Sequence, residues 1–61
     1  MSGVRDIILV ARRLSEDLGP EGPAIVARRA EGLRDGGEFE DAGFWRHVAS
    51  AMRGLSAPAP H

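Results

Sequence analysis

The sequence has no cysteine, no lysine, only three aromatic residues and no long hydrophobic run. Without cysteine there is no disulfide, no thiolate zinc site and no cysteine nucleophile, which removes the usual reinforcements of a chain this short. All eight basic residues are arginine. Such one-sided usage most simply reflects GC-rich coding, although arginine also serves paired and interfacial positions better than lysine does. Against nine acids the arginines leave a net charge of −1, so no long-range field draws DNA, anionic lipid or a cationic ligand. The longest apolar run, Ile7 to Ala11, falls far short of the ~20 residues of a membrane-spanning helix, and the amino terminus lacks the serial pattern of a secretory signal. A soluble, cytoplasmic protein without membrane contact is expected.

What is present fits a small folded unit. Of 61 residues, 43% are apolar and 28% charged, which is neither a disordered acidic tail nor a collagen-like repeat. A chain of this size buries roughly 60% of its unfolded surface on folding, a thin margin. Self-association or a partner is the reinforcement left to it.

Val4, Ile7, Ala11, Leu14 and Leu18 are spaced three and four apart, the stripe of an amphipathic helix over about 4–18. Gly19 and Pro20 end it, because glycine takes the left-handed capping conformation and proline cannot continue the helical hydrogen bonds. Pro23 suits a first helical turn, ahead of a second helix at about 23–35 in which Val26, Ala30 and Leu33 share a face. Gly36 and Gly37 stop this helix. The acids from Glu38 to Asp41 then complement the positive end of a third helix at about 41–55, with Asp41 as its N-cap. In that helix Phe44, Trp45, Val48, Ala51, Met52 and Leu55 fall within about 60° of one direction, and Arg46, Ser50 and Arg53 lie opposite. The predicted fold is all-α: a small three-helix unit over 1–55 with loops of roughly four to six residues, helices two and three forming an antiparallel hairpin. The first helix packs across the hairpin or exchanges with a second subunit. The alternating prolines of 56–61 read as a loose, polyproline-like tail.

Little in the chain invites catalysis. Three short helices are expected to enclose too small a volume for a water-excluding pocket. His47 has no histidine or carboxylate at i+3 or i+4 on its helix, so it reads as a boundary residue beside the core, and His61 is terminal. Ser15, Ser50 and Ser56 have no histidine base near them in sequence. The double glycine sits among acids that would repel a phosphate, and the acidic segment lacks the ligand spacing of a helix-loop-helix calcium site. No catalytic residue, cofactor, metal or small-molecule substrate is expected.

The arginines deserve weighing as a nucleic-acid surface. Arg12 with Glu16, Arg13 with Asp17 and Arg28 with Glu31 are spaced for pairing on helix surfaces. A helix-turn-helix reader is disfavoured because its recognition helix would begin with acids. A dimer could still assemble Arg46 and Arg53, with Arg28 and Arg29, into a phosphate-contacting stripe. The stronger signal is Ile7-Ile8-Leu9-Val10: Leu9 points about 180° from the helical stripe, and Ile8 and Val10 flank it. A helix apolar all round is normally buried on more than one side. Ile8, Leu9 and Val10 are therefore the expected protein interface, for a second copy or for another protein, with nucleic acid as the alternative partner.

Three segments carry a resemblance: Ala24 to Leu33, the Gly36-Gly37-Glu38 turn, and Phe44 to Val48 continued by Ala51 to Leu55. Together they resemble a class of short alanine- and arginine-rich α-helical proteins of alphaproteobacteria. That resemblance implies a helical hairpin and assigns no activity or site.

Overall fold

A computed structural model describes residues 4–56, and these are helical apart from Gly36, Gly37 and Glu38. Helix α1 spans Val4–Leu18, a 3-10 turn covers Gly19–Glu21, α2 spans Gly22–Asp35 and α3 spans Phe39–Ser56. The all-α expectation holds. The count of three separate helices does not, because helical segments follow one another from Val4 to Asp35 with only a 3-10 turn between them, and Gly36 to Glu38 divide the chain into two runs. The cause is local: only Gly19, at φ 73°, leaves the right-handed region. Leu18, Glu21 and Gly22 all keep right-handed helical backbone on either side of it. A single left-handed glycine bends the helix, and Pro20, whose ring fixes φ near −65°, fits the tight turn that follows.

Both connections are three residues long, shorter than the expected loops. At the second, Gly37 takes φ 86°. The Glu38 N–H donates to the Leu33 carbonyl at 2.9 Å and the Gly37 N–H to the Arg34 carbonyl at 3.0 Å, the paired bonds of a Schellman cap. Gly36 keeps a negative φ, so one glycine of the pair carries the turn. The next bond places the start of α3: the Ala42 N–H donates to the Glu38 carbonyl at 2.9 Å. Glu38 is thus the capping residue, and Asp41, expected in that role, lies inside the first turn with Glu40. The cap comes earlier because the Schellman turn has already reversed the chain at Gly37. Ser56 ends α3, one residue into the expected tail; residues 57–61 lie outside the described part.

α3 is the central helix. Its contact with α2 is the most extensive in the molecule, α1 packs mainly on α3, and α1 meets α2 little. Among the described residues the buried apolar side chains are Ala11, Val26, Ala30, Ala42, Val48, Ala49 and Met52. Ile7, Val10, Leu14, Phe44, Trp45 and Ala51 pack partly buried against them. The predicted stripe of the first helix is largely right: Ile7, Ala11 and Leu14 face the core, Leu18 is exposed, and the side chain of Val4 lies outside the described residues. On α3 Val48 and Met52 are buried as predicted, while the buried face extends to Ala42 and Ala49 and leaves Leu55 half exposed. Alanine at these positions leaves little between the helices, and there is no room for a side chain at Gly22. A Cβ there would stand 2.6 Å from Met52 Cε and 3.2 Å from Leu18 Cβ.

Two glycine substitutions should therefore act in opposite directions. Gly22→Ala forces the enclosed Met52 aside and should lower unfolding stability by about 1–3 kcal/mol. Gly32→Ala, where a Cβ meets no atom within 4 Å, should raise it by up to about 1 kcal/mol through helix propensity alone. Urea titration of the two variants beside the parent chain measures both.

Candidate protein-binding surfaces

Of the three α1 residues expected at an interface, two are exposed. Leu9 is 61% exposed and Ile8 42%. Val10 is half-buried and packs against the core, which removes it from the face. The reason is angular: α3 lies against Ile7, Val10, Ala11 and Leu14, and 100° per residue carries Ile8 and Leu9 away from that contact. Sequence reasoning missed two further exposed apolar side chains, Ile25 and Phe39. Ile25 could have been found by the same wheel, since it lies about 100° from Val26. Phe39 was concealed by the acids around it, which read as loop.

The four arginines of the alternative reading do not converge. All are exposed, but the Arg29 guanidinium sits over the Trp45 ring, 5.6 Å from its centroid, a cation–π contact. Trp45 also meets Phe44 edge-on, with centroids 5.3 Å apart and planes at 84°. Arg46 and Arg53 instead line a groove of about 480 Å³ between α2 and α3, where Arg34 joins them. Ala27, Ala30, Ala42 and Gly43 also line it, and Phe39 and Glu31 complete the lining. Arg28 is not among the groove residues. Only one expected surface pair forms among the described residues, Arg13 Nε to Asp17 Oδ2 at 3.5 Å with both side chains mostly in water. Such a pair contributes little. Arg12 and Arg28 make no ion pair within 4 Å among the described residues.

The groups that might have suggested chemistry are scattered. His47 is exposed, not beside the core, because the buried face of α3 is turned away from it. Ser50 is exposed, and the Ser15 hydroxyl is shut from water with no hydrogen-bond partner. His61 lies outside the described residues. Among those described, no three histidine, aspartate or glutamate side chains gather to hold a metal ion, and no helix is long and apolar enough to cross a membrane. Comparison with protein-family models, with curated proteins and with solved structures finds no match to this chain.

The Arg29–Trp45 contact has a measurable weight. Arg29→Ala should cost about 0.5–1 kcal/mol of stability, the range for an exposed cation–π pair. It should also shift tryptophan emission to longer wavelength as the ring face gains water. Unchanged emission with unchanged stability would show that the guanidinium does not hold that position in solution.

Proposed function

We propose that the chain is a non-catalytic protein-interaction module: a homo-oligomer, or an accessory or regulatory subunit that includes an inhibitor of another protein among its forms. The carrying observation is the outward pair Ile8 and Leu9 on α1, 42% and 61% exposed. They stand on a helix whose opposite side is already committed to α3. A leucine held largely in water forgoes about 1.5–3 kcal/mol of burial, which an occupant would recover. The small core supports the same reading, since four of its seven enclosed side chains are alanine and stabilisation from outside has the most to add. Such a module fits the cytoplasm.

The second reading, a small dimeric nucleic-acid-associated regulator, has the groove arginines in its favour: Arg34, Arg46 and Arg53 face one space. Against it stand Glu38, Glu40 and Asp41 at the end of the same hairpin, where a phosphate backbone would be repelled.

Native mass of the protein isolated from its own cell separates these readings. The protein-binding reading expects a mass above that of one chain, lowered by Leu9→Glu while circular dichroism shows the helices intact. An assembly unaffected by Leu9→Glu would count against the α1 face. On immobilised DNA or RNA it expects no retention at moderate salt. Retention that falls steeply as salt rises, and falls further in Arg46→Ala with Arg53→Ala, would transfer the argument to nucleic acid.

A further inference from the structure

The groove between α2 and α3 includes Phe39 in its lining, and the surroundings of Phe39 are complementary to the rest of it. Phe39 is 69% exposed. Glu38, Glu40 and Asp41 border the hollow beside it. Along α3 the order is therefore an aromatic among acids, then the small residues Ala42 and Gly43, then Arg46 and Arg53. Phe39, Arg46 and Arg53 recur every seven residues, which keeps them within about 40° on the helix. Gly43 opens the middle: a Cβ there would meet no atom within 4 Å.

We propose that this groove is a self-association surface whose occupant is a second copy of the chain, with the two α3 helices antiparallel and crossing at Ala42 and Gly43. A two-fold axis between those residues puts Phe39 about 5 Å to one side at ~1.5 Å rise per residue. The partner's Arg46 then stands at the same level. Each Phe39 ring meets the partner's Arg46 guanidinium, and Glu38 and Glu40 beside the ring meet the same charge. The symmetry repeats every contact. A parallel arrangement would set acids against acids and arginines against arginines, so the charge order along α3 selects the antiparallel one. The small residues at the crossing allow the backbones to come close. This surface is distinct from the Ile8 and Leu9 face and goes beyond the role proposed for it.

The purified full-length chain tests this by sedimentation at low and high salt, with circular dichroism reporting helix content. The parent should sediment as a dimer that weakens with salt. Arg46→Glu, and separately Glu38→Arg with Glu40→Arg, should each weaken dimerisation about tenfold or more by juxtaposing like charges. An equimolar mixture of these two variants should regain the dimer, because each then supplies the charge the other lacks. Gly43→Gln should dissociate the dimer while the helices persist. Leu9→Glu should remove any larger assembly made through the α1 face and leave the salt-sensitive dimer intact, which keeps failure here separate from failure of the α1 face. The proposal is overturned by a parent chain that stays monomeric at high concentration, by charge variants that dimerise as well as the parent, or by a mixture that stays monomeric. A dimer lost only in Leu9→Glu, or a mass increase only on adding RNA, would also overturn it.

Discussion

The close approach of α2 to α3 governs the rest of the molecule. It is made by leaving side chains out. Gly22 has no Cβ where Met52 Cε passes, and alanines fill the buried positions at 30 on α2 and at 42 and 49 on α3. Helices separated by alanine and glycine pack near the short end of the usual 8–10 Å range. They gain dispersion contacts along their backbones and little from burying large side chains. Met52 and Val48 are the largest side chains that are completely enclosed. They lie one turn apart on α3, the helix that contacts both of the others.

A core of small residues cannot cover a chain that also carries leucine, isoleucine and phenylalanine. Ile8, Leu9, Leu18, Ile25, Phe39 and Leu55 all retain more than a third of their surface in water. One exposed leucine on a soluble protein needs no explanation. Six large apolar residues on so short a chain mean that a substantial part of its hydrophobic potential is unused by its own fold. The economy that draws the helices together thus leaves this surface outside. The same geometry accounts for two errors of location, Val10 turned inward and His47 turned outward, since both sit at edges of faces whose direction the partner helix decides.

Most of the architecture was legible in the sequence because its punctuation is local. Gly19 and Gly37 adopt the positive φ values that their positions in the sequence call for, and Pro23 sits in the first turn of α2 as read. The limits of the first helix follow directly from a three-four spacing. What escaped was set by tertiary contact. Ala42 and Ala49 carry too little hydrophobicity to register in a periodicity argument, yet they lie in the core because α2 comes close enough to enclose them. The start of α3 was placed late for a related reason. The acids from Glu38 onward look like a loop until the Schellman turn at Gly37 is known to have reversed the chain. The exposed pair on α1 was readable from angle alone, whereas the groove was not, because Arg34 and Arg46 belong to different helices and meet only through the hairpin.

The charges around that groove bear more on register than on affinity. Arg34, Arg46 and Arg53 share its lining with a single acid, Glu31, so the lining carries an excess of positive charge. Each arginine is largely in water, where an ion pair contributes at most about 1 kcal/mol and is screened by salt. The proposed association would therefore draw mainly on apolar contact, and Phe39 together with the alanine-lined surface is the apolar element available there. The excess charge acts against the wrong occupants: a surface that brings arginines without acids opposite them is repelled, and an apolar segment without acids leaves the guanidinium groups crowded and unpaired. Acids placed within one turn before the small residues, and Arg46 placed one turn after them, give the helix a direction that a uniform hydrophobic stripe would lack. In the dimer proposed for so short a hairpin, directional charge is what would convert a sticky surface into one that accepts a single orientation.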